Sequence, residues 1–149
     1  MVTWSGKLEL TSPAFSDGGE IPRKCGYKNG NEAPHLAING IPEGTKSLAL
    51  IMDDPDAMEP AGKVWVHWVV WNIDPTATEN LQDATEGMTD FGEVGYGGPA
   101  PPDKRHTYVF KLYALDCYID ADNERKAEVV DDMEGHIIEQ TQLTGTYAP

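Results

Sequence analysis

The sequence predicts a mainly β fold, an antiparallel β-sandwich with a late α-helix and few short helices. Three observations carry this expectation. Short apolar segments rich in β-branched and aromatic residues recur along the chain. The 15 Gly and 11 Pro punctuate the first two-thirds as turns. Only one stretch, near the C-terminus, has helical spacing, so the strands do not alternate with helices as a parallel βαβ fold requires.

Taken in order, Leu8-Glu9-Leu10 and Leu36-Ala37-Ile38 are short strands flanked by Gly and Pro. The run Ser47-Leu48-Ala49-Leu50-Ile51-Met52 is continuously apolar, as a strand buried on both faces must be. Val64 to Ile73 is the strongest strand, and period-two geometry puts Trp65, His67, Val69 and Trp71 on one face. A second long strand runs from Thr107 to Asp116, with His106, Tyr108, Phe110, Leu112 and Ala114 sharing a face. The helix is expected from about Asp122 to Gln140, where Val130, Met133 and Ile137 recur at spacings of three and four. A last strand, Gln142 to Tyr147, closes the chain.

At 149 residues and 16.3 kDa, residues 1–149 make one domain. Such a chain buries about two-thirds of its unfolded surface, enough for a core without metal or disulfide staples. Asp and Glu number 25 against 11 Lys and Arg, and the resulting charge of −14 disfavours nucleic acid and anionic lipid as partners. No apolar run is long enough to span a bilayer, so stable membrane insertion is not expected. The stretch Met1 to Lys7 reaches charge and turn residues before a signal-peptide core develops, which predicts a cytoplasmic protein. Cys25 and Cys117 allow one bridge, but without a C-x-x-C spacing the plainer expectation is two buried thiols.

Three segments concentrate polar residues where turns alone would suffice. Asp53-Asp54-Pro55-Asp56-Ala57-Met58 places carboxylates at a strand end, where they can orient a histidine or accept a ligand hydroxyl. A calcium loop starting at Asp54 fails, because Glu59 stands where glycine is needed and Trp65 where the bidentate glutamate is needed. His67 lies within an apolar strand beside the aromatic wall of Trp65, although a lone histidine so placed is more often a satisfied core residue. Gly95-Tyr96-Gly97-Gly98-Pro99-Ala100-Pro101-Pro102 leads to His106, and consecutive N–H groups at Gly97-Gly98 are able to form an anion-binding nest or simply a turn. The nucleophile-elbow, zincin and Walker patterns are absent, and His35, His67, His106 and His136 show no metal-ligand spacing, so neither a metal nor a cofactor is expected. His136 is expected to serve helix carbonyls or packing.

The ordered set Leu10-Thr11-Ser12-Pro13-Ala14-Phe15, Asp17-Gly18-Gly19-Glu20-Ile21-Pro22, Asp54-Pro55-Asp56-Ala57, Trp65-Val66-His67-Trp68, Gly95-Tyr96-Gly97-Gly98-Pro99 and Met133-Glu134-Gly135-His136 resembles the phosphatidylethanolamine-binding protein, or Raf kinase inhibitor, family. The match runs from about Leu8 to Tyr147, and the short C-terminus looks like the bacterial and archaeal branch. The resemblance implies a β-sandwich whose small anion pocket binds phosphate-like groups. It also implies ligand binding, or inhibition or regulation of a kinase or other enzyme target, instead of catalysis. Matching positions put Asp54, Asp56, Trp65, His67, Gly98, Pro99, His106 and Tyr108 around that pocket, to which the nest reading adds Gly97. Two departures stand out: Met58 replaces the usual proline, and Lys104 and Thr107 replace a glycine and an arginine beside the pocket histidine.

The leading expectation is thus a non-enzymatic binding module for a small phosphate- or carboxylate-containing ligand. The alternative is a small acid–base hydrolase or lyase using His67 or His106 with Asp54. Self-association as a homodimer is a weaker expectation, opposed by the net charge.

Overall fold

The computed structural model describes residues 7–78, 81, 84–120 and 125–149. Its strands are β1 (Glu9–Thr11), β2 (Gly19–Glu20), β3 (Ala37–Asn39), β4 (Ser47–Asp54), β5 (Trp65–Ile73), β6 (Thr85–Glu86), β7 (His106–Leu115) and β8 (Ile137–Tyr147). The helices are α1 (Met58–Ala61) and α2 (Lys126–Met133), with 3₁₀ turns at Arg23–Cys25 and Pro55–Ala57.

Because β4 is apolar from Leu48 to Met52, it is stable only at the centre of a sheet covered on both sides, and all of its residues are buried. It lies between β7 and β5 in a six-stranded sheet ordered β2-β8-β7-β4-β5-β6. Alternation along β4 sends Leu48, Leu50 and Met52 to one face, where they meet Tyr108, Phe110 and Leu112 of β7. The two-stranded antiparallel sheet β1–β3 adds Leu10 and Ile38 to that core. Ala49 and Ile51 point to the other face, which α2 covers with Val129 and Met133. Each large apolar side chain fully buried in this way contributes about 1.5–3 kcal/mol. The architecture is mainly β, as the sequence predicts, although the pairing of β2 with β8 is parallel.

Two expectations need correction. The helix is shorter than 122–140: residues 121–124 lie outside the described residues, and α2 ends at Met133. Gly135, with φ of 83°, adopts the left-handed conformation that stops a helix, and from Ile137 onward the chain pairs with β7. Val130 and Ile137, read as parts of one buried stripe, are each 41% exposed, while Val129 and Met133 supply the buried contacts.

The second correction concerns β5. Met52 pairs with Trp68 and Asp53 with Val66, so one residue, His67, is extra on the β5 side. This bulge reverses the alternation. Trp65 and His67 face the same core as Trp68 and Val70, whereas Val69 and Trp71 face α2. Another extra residue falls between Val70 and Ile73, where Asn72 takes φ of 56° and its amide brackets the backbone of Ile119 at 3.0 and 2.8 Å.

Candidate functional site

The bulge at His67, the end of β4 and the start of β7 meet at one end of the central strands. They enclose a cavity of about 210 Å³. Asp54, Trp65, His67, His106 and Tyr108 line it, together with Phe91, residues of α1 and Ala100-Pro101-Pro102. Five of the nine residues expected around a pocket therefore converge. Asp56, Gly97, Gly98 and Pro99 are not among the residues that line it.

Gly97 and Gly98 do not form an anion nest, because both N–H groups are already used. Gly97 N–H donates to the His67 carbonyl at 2.8 Å, and Gly98 N–H to Asn31 Oδ1 at 2.7 Å. The Pro99 carbonyl accepts from Tyr27 N–H at 2.9 Å. These glycines allow close packing instead: a Cβ on Gly98 would stand 1.9 Å from the Cys25 carbonyl oxygen. Asp56 works locally as well, its Oδ2 accepting from Thr107 N–H at 2.8 Å at the start of β7.

The two histidines have opposite electrostatics. His106, 1% exposed, points Nδ1 at Asp54 Oδ2, 2.6 Å away, and Nε2 at Asp103 Oδ1, 2.7 Å away. Burial opposes the charge, but hydrogen bonds and attraction to the two carboxylates outweigh it and raise the His106 pKa above its ordinary value. Both nitrogens then donate, so His106 supplies positive charge to the wall without a free donor for a ligand. Asp54 orients His106, and its other oxygen accepts the Asp56 N–H at 2.9 Å.

His67 donates from Nδ1 to the Gly97 carbonyl at 2.6 Å. Burial dominates here and lowers its pKa against the smaller pull of that carbonyl and Asp54. The ring is neutral, with Nε2 as its remaining acceptor. Phe91 meets His67 edge-on at 5.4 Å and Trp65 at 5.6 Å, and Tyr108 meets His67 at 5.1 Å. Trp65 Nε1–H and the Tyr108 hydroxyl are buried in this aromatic wall with no hydrogen-bond partner. Burial, followed by the Asp54 charge, pushes the Tyr108 pKa up, so the hydroxyl keeps its proton and remains a donor.

Phe91 and Asp103 complete the site without having been expected from the sequence. Asp103 had a faint signal, three residues before His106; Phe91 had none, since stacking on Tyr27 at 4.1 Å is what brings it to the cavity. Of the departures from the family pattern, Lys104 donates to Glu59 at 3.0 Å on the exposed surface, and Met58 opens α1 with its side chain exposed.

The two histidines should give opposite pH dependences of stability. The depressed pKa of His67 contributes stability that is present above about pH 6.5 and is lost as pH falls toward the folded-state pKa. The raised pKa of His106 contributes stability that is full below about pH 6.5 and is lost as pH rises through the folded-state value. Denaturant unfolding across this range should show the acid-side loss flattened in His67→Gln and the alkaline-side loss flattened in His106→Gln. Unaltered slopes in both variants would refute the assignment.

Fold and cavity define a β-sheet domain with an aromatic, histidine-containing pocket at a strand end. The family profile for phosphatidylethanolamine-binding protein matches residues 11–148. A UPF0098 protein of Methanothermobacter thermautotrophicus is 42% identical over 151 residues, covering 94% of this chain and 98% of the relative. One from Chlamydia trachomatis is 38% identical over 148 residues, with coverage of 94% and 98%. Among solved structures, CT736 of Chlamydia trachomatis, described as a homologue of phosphatidylethanolamine-binding protein, superposes with a TM-score of 0.88. It is 37% identical, with 96% of this chain and 98% of that chain covered. Escherichia coli YBCL, described as a new member of the mammalian family, gives a TM-score of 0.83 at 34% identity, covering 94% and 97%. The chain belongs to the phosphatidylethanolamine-binding protein family.

Proposed function

We propose that the protein is a ligand-binding module rather than an enzyme, and that its cavity takes the phosphate or carboxylate end of a small molecule. The observation that carries this reading is the pair of buried, unpartnered donors, Trp65 Nε1–H and Tyr108 Oη–H, on one cavity. A buried polar group without a partner costs about 1–3 kcal/mol, and an oxyanion accepting from both removes that cost. The donors are neutral and preorganised, which suits anion capture in a chain of charge −14. The acid–base alternative is disfavoured because His106 has both nitrogens on carboxylates and no lone pair with which to take a proton, while His67, which keeps one on Nε2, is hydrogen-bonded to the Gly97 carbonyl and not to Asp54. Among the described residues no helix is long and apolar enough to cross a membrane. The free Cys25 and Cys117 suit a reducing cytoplasm, where we place the protein.

Because His67 Nε2 is an acceptor, an anion contacts it only with a proton between them, on the ligand or on the ring. Binding should therefore take up a proton and weaken as pH rises. Calorimetry with phenyl phosphate, inorganic phosphate and acetate, in buffers of different ionisation enthalpy, measures both effects. Tyr108→Phe should lower phosphate-ester affinity by about 10- to 100-fold, the loss of one hydrogen bond to a charged group, while leaving the ligand-free protein no less stable. Equal affinity in Tyr108→Phe and His67→Gln would overturn the reading, as would turnover of the ester.

A further inference from the structure

We propose that Asp116, Cys117 and His136 form a binding site for a single divalent transition-metal ion of borderline softness, with zinc as the type ion. Ligand atoms of the three side chains all lie within 4.8 Å of one another. A carboxylate oxygen, a thiolate and an imidazole nitrogen form a donor set that zinc accepts, leaving a fourth tetrahedral position for water. The sequence separates His136 from Asp116 by 20 positions, and the pairing of β7 with β8 brings them together.

The cluster is held in place before any ion arrives. Asp116 N–H donates to the His136 carbonyl at 3.0 Å, and His136 N–H to the Met133 carbonyl at 2.9 Å. The Cys117 carbonyl accepts from Ser47 Oγ at 2.6 Å. The three ligands are therefore carried on backbone that is already ordered, which reduces the entropy lost on binding. His136 Nδ1 lies 2.8 Å from Asp116 Oδ1, a contact that coordination would replace or retain as an outer hydrogen bond. Imidazole and carboxylate are about half exposed, so an ion reaches them from solvent.

Cys117 differs in kind from Cys25. Cys25 lies in the β1–β3 side of the core, whereas Cys117 is half-buried and packs on the α2 side, so the two face opposite sides of the sheet. The expectation of two buried thiols fails for Cys117. Asp116 and Asp132 act on its sulfur, with Lys46 opposing them, and the acidic excess favours a cation. On coordination the thiol releases its proton to solvent. The site lies at the opposite end of β7 from the cavity, about 30 Å along ten residues of strand, and an ion there would tie the end of β7 to the start of β8.

Cobalt(II) is the probe. Titration of the reduced full chain should produce a thiolate-to-cobalt charge-transfer band that saturates at one equivalent and disappears when zinc is added. Cys117→Ser should abolish that band, and His136→Gln should weaken binding by about tenfold or more. His35→Gln, at a distant exposed histidine, should leave it unchanged. Circular dichroism of each variant verifies that the substitutions leave the fold intact. Absence of the band at millimolar cobalt, its persistence in Cys117→Ser, or undiminished affinity in His136→Gln would each overturn the proposal.

Discussion

Replacement of His106 by alanine is expected to lower the unfolding free energy by about 3–5 kcal/mol, the range for removing one partner of a buried ion pair. His106 and Asp54 are 1% and 3% exposed, and each nitrogen of the ring meets a carboxylate. Deleting the ring leaves Asp54 and Asp103 facing each other across an emptied volume with no cation between them. Like charges and a cavity then act together. Urea denaturation of the ligand-free protein at pH 6 measures the loss. The Asp54→Asn/His106→Ala double variant should be less impaired than the two single losses added, because the stranded charge has been removed. A His106→Ala variant within about 1 kcal/mol of the parent would show that the pair is not energetically engaged.

Gly98→Ala is expected to cost at least about 3 kcal/mol, at or above the upper part of the range for overpacking a core. The new Cβ would stand 1.9 Å from the Cys25 carbonyl oxygen and 2.9 Å from Tyr27 N. Both obstacles are backbone, and the Tyr27-to-Pro99 hydrogen bond at 2.9 Å fixes their approach. Relief would require the 22–31 segment to move away from the 95–102 loop, breaking that bond and the one from Gly98 N–H to Asn31. Gly97→Ala is the useful contrast. Its Cβ would clash with the Phe91 side chain, at 2.5 Å, and meet backbone only at an ordinary 3.5 Å from the His67 carbonyl oxygen. That variant should stay closer to the parent in stability while changing ligand affinity, because Phe91 is part of the cavity wall. Denaturation midpoints give the comparison, and equal losses in the two variants would refute the packing role assigned to Gly98.

Some of this protein was determined locally and is legible in the sequence. The continuous apolar run of β4 and the alternation of β7 are statements about adjacent side chains, and they place Asp54, His106 and Tyr108 on one face. Trp65 and His67, two residues apart on one strand, share the face that a period of two predicts. The period of two breaks further along β5, because the bulge at His67 exists only in its register with β4, and no local period reports an extra residue opposite a distant strand. The end of the helix failed for a related reason: residues from Ile137 satisfy their backbone on β7, and that pairing overrides the spacing of three and four.

The sequence by itself determined the class of fold, the core strands and the residue types that meet at the cavity, since these follow from local hydrophobic period and from motifs in order. Only the tertiary structure decided which polar atoms remain free. It occupied the Gly97 and Gly98 amides and both nitrogens of His106, left Trp65 Nε1 and Tyr108 Oη without partners, and brought His136 to Asp116 and Cys117. The physical reason is that a hydrogen bond or a ligand set is a property of two or more groups in space. In this chain those groups stand 3 to 67 residues apart and are joined by strand register and loop docking.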